Sequence, residues 1–579
     1  MIRIGNCSGF YGDRLSAMRE MLEGGPLDVL TGDYLAELTM LILGRDAMKD
    51  PAAGYARTFV QQAEDCLGLA LEKGVKIVSN AGGLNPAGLA ARLAEIAPEA
   101  KIAYVEGDKV ETLPELAGAL TANAYLGGWG IARALAAGAD VVVTGRVTDA
   151  SLVVGPAAAH FGWAVDDWDR LAGAVVAGHV IECGTQATGG NFSGFATIDR
   201  SKPLGFPVAE IAADGSSVIT KHRGTGGAVT VDTVTAQLMY EIQGTDYLNP
   251  DVTTDLASIE LADAGEDRVG VTGVRGGPPP ATLKVAVNEL GGMRNSAEFV
   301  LTGLDIEEKA DWLRAQVEPS LAGVEHAWSS YRLPEPDSAT EEGASVLLRL
   351  TAWSADPDAV GKRFTEPLIG LALASYPGFH VTAPPSRPSP YGVYRAEYVE
   401  RAAVQHLVVL PDGTREVVPD PTPPREQTQT DAEIPVTSRK LTSPAMSVCD
   451  RSAQLEGQFE PGHRDLSVSL RPLGEVVFAR SGDKGGDANL GLWVPRGRPD
   501  AAVDWLIDYL TRERVRQLVP EAEGLEVDIH PLANLRGVNV VIHGLLGAGV
   551  AEGRRFDPQA KALGEWVRSR YVDIPEELL

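Results

Sequence analysis

Cysteine, histidine and basic charge are scarce in this sequence, and each scarcity closes off a class of function. Four cysteines (Cys7, Cys66, Cys183 and Cys449) are spread over 579 residues with no CxxC spacing, so neither a disulfide scaffold nor a zinc cluster is expected. The nine histidines are scattered and HExxH is absent, which removes the zinc-peptidase pattern. Basic residues number 51 against 79 acidic ones, a formal charge of −28. A chain so acidic lacks the field that nucleic acid or an anionic membrane requires, although local basic pockets remain open to it. Long apolar runs are missing too: LAELTMLIL stops at Gly44, Arg45 and Asp46, well short of the roughly 20 residues of a spanning helix. The start, MIRIGNCSGFYGDR, has no apolar core behind a basic end, so no secretory signal is read and a cytoplasmic protein is expected.

Nucleotide signatures are absent as well. GTGG and SGDKGG match neither GxGxxG nor GxxxxGK[ST], and GDKGGDANLGLW lacks the spaced carboxylates of a calcium loop. Ser8 sits in a strand-to-helix turn, but Asn6 and Phe10 stand where a hydrolase elbow needs glycine.

What is present is an ordinary globular composition, 44% hydrophobic and 22% charged, in a chain long enough for two or three domains. The first half alternates short β-branched runs (IRIGN, LDVLTG, VKIVSN, KIAYVEG, DVVVTG) with helical spacing, as in YARTFVQQAEDCLGLALEKG and NAYLGGWGIARALAAGA. The fold class expected is α/β, a largely parallel sheet with helices on both faces over residues 1–195. From about residue 196 hairpins take over, with turns at ADGS and PDGT, giving an α+β region over 196–410. Residues 411–471, rich in Pro, Thr, Gln and Glu, read as linker. Residues 472–579 order as a small ferredoxin-like α/β module.

Polar and glycine-rich segments follow each early strand, and in parallel sheets such segments share one edge, where ligands bind. They supply Ser8, Tyr11, Asp13 and Arg14; Asp33; Asn80, Gly82, Gly83 and Asn85; Asp108; and Arg146 with Asp149. Turn formation and helix capping explain these residue types equally well. A magnesium ion on Asp13, Asp33, Asp108 and Asp149 is a weaker alternative to four solvated caps, and no cofactor or metal is assigned.

The stretch AGHVIECGTQATGGNFSGF (177–195) reads as a helix end running into a crossover loop. His179 and Glu182 are three apart, hence neighbours on one helical face, and could exchange a proton near neutral pH. A buried, structural His–Glu pair fits the same spacing. Cys183 is the candidate covalent nucleophile beside them, or a plain packing thiol. Thr188, Gly189, Gly190 and Asn191 follow at the expected mouth, and KHRGTGGAVTVDTVTAQLMYEI adds Lys221, Gly224, Thr225, Gly226 and Gly227 as a second glycine loop, then Asp232, Gln237 and Glu241.

GNCSGFYGDR, GDYLAE, NAGGLNP, ADVVVTGRVTDAS, GHVIECGTQATGGNF, GTGG before QLMYEI, and PDV at 250–252 together resemble the acyclic terpene utilization AtuA family over roughly residues 2–410. FARSGDKGGDANLGLWV resembles the ferredoxin-fold domain of its longer members. The resemblance implies catabolism through branched acyl-CoA intermediates. It points to a lyase or hydratase acting on an acyl-CoA thioester or a branched organic acid. Arg146, Lys221 and Arg223 would meet the anionic group beside backbone N–H donors, and Asp149, His179 or Glu182 would move the proton. The alternative is a non-catalytic subunit or scaffold that binds a partner enzyme through the tail. A small anionic substrate is the expected partner, with neither nucleic acid nor membrane. A homo-oligomer is expected too, the 481–489 loop docking on the body of its own or a second subunit.

Overall fold

The computed structural model describes residues 1–421 and 468–579, apart from Arg332 and Pro336. Most of the segment expected as linker therefore lies outside the described residues. Its first part does not read as linker, since Arg415–Val417 is a strand.

The strands anticipated in the first half all form: β1 (Ile2–Asn6), β2 (Val29–Gly32), β3 (Lys76–Ser79), β4 (Ile102–Glu106) and, after β5 (Thr121–Ala124), β6 (Val141–Thr144). They pair in parallel in the order β1-β2-β3-β6-β4. Parallel strands buried on both faces are apolar throughout, as DVVVTG shows. Val141 and Val143 pack with Phe59, Leu67 and Leu89 on one face, and Val142 packs with Leu152 and Leu171 on the other.

The sheet is mixed at its flanks. β7 (Pro207–Ile211) and β8 (Ser217–Lys221), the ADGS hairpin, run antiparallel beside β1 and continue into Arg268–Thr272 and Glu260–Asp263. On the far edge β4 is followed by the PDGT hairpin, Leu407–Val409 with Arg415–Val417. Eleven strands result, and the sheet passes through residue 195 without a break.

One helical expectation fails. NAYLGGWGIARALAAGA is helical only from Trp129 to Ala136, because Thr121–Ala124 is the strand β5. The Asn123 amide donates to Asp108 at 2.7 Å. The Asp251 carboxylate accepts from Gly128 N at 2.7 Å and leaves no room for a side chain at Gly127. Tertiary partners thus hold extended a segment whose local period is helical.

β5 opens a second sheet built on the 21-residue strand Thr282–Thr302. Its first half pairs with β5 and Ser389–Glu400; beyond a bulge at Leu290/Gly292 it pairs with Ser345–Ser354 and leads into a separate α+β lobe.

The tail is ferredoxin-like, with four antiparallel strands in the order Phe478–Lys484, Asp487–Trp493, Gly537–Ile542, Val527–Leu532. Helices Asp500–Tyr509, Arg512–Leu518 and Leu563–Ser569 share its hydrophobic core. The other face of this sheet lies on the body of the same chain. Asn489 accepts from Glu241 N at 2.9 Å, and Asn539 donates to the Ile242 carbonyl at 3.2 Å. Glycines permit the approach: a β carbon at Gly491 would stand 2.6 Å from that of Met239, and one at Gly482 would overlap the Tyr240 ring. No described helix is long and apolar enough to cross a membrane.

Candidate functional site

The helix Trp168–Ile181 is apolar on every side and buried from Leu171 to its end. Its last turn carries His179, which is 1% exposed, and Glu182 follows at 5%. The two side chains meet at 2.9 Å, His179 Nδ1 to Glu182 Oε1. Their outer atoms, His179 Nε2 and Glu182 Oε2, are buried with no hydrogen-bond partner among the described residues. Buried polar atoms are nearly always paired, and here both members of one contacting pair are left open.

Electrostatics set the protons. Burial and then the positive charge of Lys484 hold His179 down to about 4. Burial raises Glu182 well above the usual carboxylate range, and Asp149 and Glu241 add to it. Burial thus favours the uncharged form of both groups, a neutral imidazole beside a carboxylic acid. In that form Glu182 donates to Nδ1, and the buried Nε2–H is left without a partner among the described residues. Such a pair can give a proton from Nε2 while taking one from Glu182, and can run the same shuttle in reverse.

Around it stand groups from every part of the fold. Arg146, 3% exposed, lies 3.1 Å from Asp149, donates to the Leu35 carbonyl at 2.9 Å, and stacks 4.2 Å from the Tyr125 ring centroid. The Tyr247 ring lies 4.9 Å from His179. Glu241 holds a left-handed backbone at φ 58°, a conformation costing a non-glycine residue about 1 kcal/mol or more; its N–H is fixed by Asn489 of the tail. Glu37 opens the helix Glu37–Lys49. Burial would raise its carboxyl, but Lys284 and Arg146 bring it below its ordinary value. Asp483 goes the other way, pushed up to about 8 by burial, then Glu241 and Glu37. A narrow cleft of about 10 Å³ adjoins the cluster, its lining including Glu37, Leu41, Asn288, Tyr394, Asp483 and Gly485.

Of the residues expected from sequence, Asp149, Arg146, His179, Glu182 and Asp33 come together, Asp33 and Glu182 both feeling the charge of Asp149. Cys183 is adjacent, but burial and then Glu241 and Glu182 drive its thiol well above the ordinary range. A thiol so held is a poor nucleophile, and the covalent role is withdrawn.

The loops after β1 and β3 are present at the expected sheet edge but turned inward. Ser8 donates to the Phe10 carbonyl, and Tyr11 accepts from Thr58 through its carbonyl. Asp13 accepts from Gly9 N and Arg14 N, while Arg14 reaches the Leu204 carbonyl and Glu20. Asn80 bridges Tyr34 N and Asp33, and Asn85 caps the helix Pro86–Ile96. Gly82 and Gly83 are packed against Pro86 and Leu43. Asp108 binds Arg146 N and Asn123.

The second glycine loop is also structural. Lys221 pairs with Asp267 at 2.9 Å and donates to the Thr225 carbonyl. Thr225 bonds the His222 carbonyl, Gly226 and Gly227 back onto the Lys202 and Thr188 carbonyls, Gly224 is an open turn at φ 81°, and Arg223 is exposed. Thr188 donates to the carbonyls of Thr185 and Gly205. Gly189 takes φ 118° against Ile198, Gly190 packs on Thr185, and the Asn191 carbonyl accepts from Arg480. What AGHVIECGTQATGGNFSGF approaches is the tail: Arg480 also donates to Gln186, and Ser193 to the Ala479 carbonyl. Among the described residues no three His, Cys, Asp or Glu side chains gather as a metal site would need.

Sequence reasoning missed Glu37, Tyr125, Tyr247, Lys284, Tyr394, Asp483 and Lys484. Glu37 and Lys484 lie in the motifs GDYLAE and SGDKGG, so a signal existed; Lys284, in a plain alternating strand, carried none.

A family model described as acyclic terpene utilisation family protein AtuA matches residues 2–410. A second, the AtuA ferredoxin-like domain, matches residues 471–573. No curated protein matches the chain.

Proposed function

Since the chain belongs to the acyclic terpene utilisation AtuA family and carries its ferredoxin-like domain, we propose that it is an enzyme of branched acyl-CoA or organic-acid catabolism, a lyase or hydratase working by proton transfer. The observation that carries this reading is the buried His179–Glu182 pair with both outer atoms unpartnered. Each such atom costs on the order of 1–3 kcal/mol unless a partner from outside the chain satisfies it, which favours a bound molecule at this pair.

His179 Nε2 delivers or collects the proton at the reacting carbon or oxygen, and Glu182 keeps the imidazole in one tautomer and resupplies it. Lys221 and Arg223, expected from sequence to meet the substrate's anionic end, lie in the structural loop. Lys284 and Lys484 are better placed, both partly buried and both felt by the carboxylates of the cluster. Arg146 is committed to Asp149, Leu35 and Tyr125, and positions Asp149.

The scaffold alternative is disfavoured by the direction in which the tail faces. Its hairpin at 481–489 is turned toward the cluster of its own chain and contributes Lys484 there. The purified protein, challenged with branched acyl-CoA thioesters and free branched acids, should turn over at least one of them. His179→Gln and Glu182→Gln should each lower that turnover by about 100-fold or more. Full turnover by both variants would remove the proton-transfer assignment.

A further inference from the structure

Lys284 lies on the strand Thr282–Thr302, beside the end of β5, and its carbonyl accepts from Tyr125 N at 2.9 Å. Its ammonium stands 5.0 Å from the Tyr125 ring centroid and 5.9 Å from that of Tyr394. It makes no ion pair with any described residue, although Glu37 and Asp149 are close enough to influence it. Tyr394 and Glu37, its neighbours, line the adjoining cleft. The tail hairpin packs Gly485 on the Tyr394 ring, a β carbon there standing 2.8 Å from it, and so brings in a second ammonium, Lys484, which likewise makes no ion pair among the described residues. Two neighbouring ammoniums without carboxylate partners, in a chain of net charge −28, leave a place for an anion beside an amine.

We propose that Lys284 is an amine nucleophile that forms a Schiff base with an oxo acid, whose carboxylate is met by Lys484. This rests on the reading that the cluster is a proton-transferring active site, and narrows its substrate to acids carrying a ketone or aldehyde group. The free amine adds its lone pair to the carbonyl carbon. The carbinolamine loses its oxygen as water, so that C=O and ammonium give an iminium and one water with no change of oxidation state. The iminium accepts the electron pair released when a neighbouring C–H or C–C bond breaks, and hydrolysis returns the amine.

The surroundings make the ammonium easier to deprotonate than an exposed lysine's. Burial and the Lys484 charge bring Lys284 down to about 8, Arg146 acting with them and Glu37 and Asp149 against them. Tyr125 and Tyr394 flank it, and Tyr398 is its cross-strand partner. An amine next to another cation is activated in this manner.

The test uses the full-length protein with acetoacetate and, separately, 4-methyl-2-oxopentanoate, each followed by borohydride at pH 8 and peptide mass mapping. The expected result is a reduced adduct on Lys284, about tenfold or more above that on exposed Lys73, absent in Lys284→Arg. Its pH midpoint should rise by about one unit in Lys484→Met. Equal labelling of Lys284 and Lys73, or no adduct on Lys284, would overturn the proposal, and so would wild-type turnover in Lys284→Arg. Trapping does not need the proton shuttle, so an adduct that survives in His179→Gln supports the lysine even if the shuttle assignment fails. Turnover that depends on His179 without any adduct would sink the lysine alone.

Discussion

At residue scale the shifts of His179 and Glu182 run in opposite directions. In the unfolded chain between pH 4.5 and 6.5 the histidine is protonated and the glutamate is not; folding shifts the preference for the proton from the histidine toward the glutamate. The two shifts act in opposite senses, so their contributions to the slope of stability with pH offset each other in that window. Each single variant should acquire one. In Glu182→Gln the remaining histidine has a lowered folded value, so stability is full above 6.5 and lost as pH falls toward 4. In His179→Gln the remaining glutamate has a raised folded value, so stability is full below 4.5 and lost as pH rises. Each slope approaches about 1.4 kcal/mol per pH unit. Urea unfolding of both variants across the window measures it, and two flat profiles would contradict the protonation states assigned.

Two further residue-scale outcomes follow from burial. Cys183→Ser should change turnover less than about twofold, and iodoacetamide at pH 8 should leave the wild type active, because the thiol is held protonated. Arg146→Lys should lose stability by about 2 kcal/mol in thermal unfolding, since an ammonium cannot reach Leu35, Asp149 and the Tyr125 face together.

At the scale of elements, the parallel strands were legible because each is a short β-branched run ended by Gly, Asn or Asp. Helix Trp168–Ile181 was legible in its last turn, and with it the His179–Glu182 pair. The segment at 121–128 has a helical period yet is not helical, because the groups that hold it, Asp108 and Asp251, bond to residues 15 and 123 positions away. The loop residues do lie at the edge that their pattern indicates, but they work there as structural bonds. Side chains suited to bind a ligand also suit caps and turns, and Asn80, Asn85 and Thr188 are used in that way. The hairpin of the tail is the element the site depends on. Gly482→Val places a branched side chain into the Tyr240 ring and should cost about 1–3 kcal/mol. Turnover should fall with it, because Lys484 and the Asn489 bond to Glu241 are displaced together. Loss of stability with turnover per folded molecule unchanged would show the hairpin to be packing only.

At the scale of the whole molecule, the site draws on the parallel sheet, the long strand of the second sheet and the ferredoxin-like tail. Their sequence separation is why the motifs around Glu37 and Lys484 did not reveal a shared site and why Lys284 carried no signal: convergence of the three is a property of topology, not of spacing. A chain ending at residue 421 should lose turnover by more than about 100-fold, since it lacks Lys484 and uncovers Met239 and Tyr240.

The central claim is that His179 and Glu182 move a proton to or from a substrate carbon or oxygen. Hydrogen–deuterium exchange at carbon tests it most directly, measured in D2O by mass spectrometry on a panel of branched acyl-CoA thioesters and branched oxo acids with the full-length protein. The wild type should exchange at least one compound, and both glutamine variants should exchange it about 100-fold more slowly at unchanged melting temperature. Exchange at the wild-type rate in either variant would contradict the account, as would its absence from every compound in the wild type.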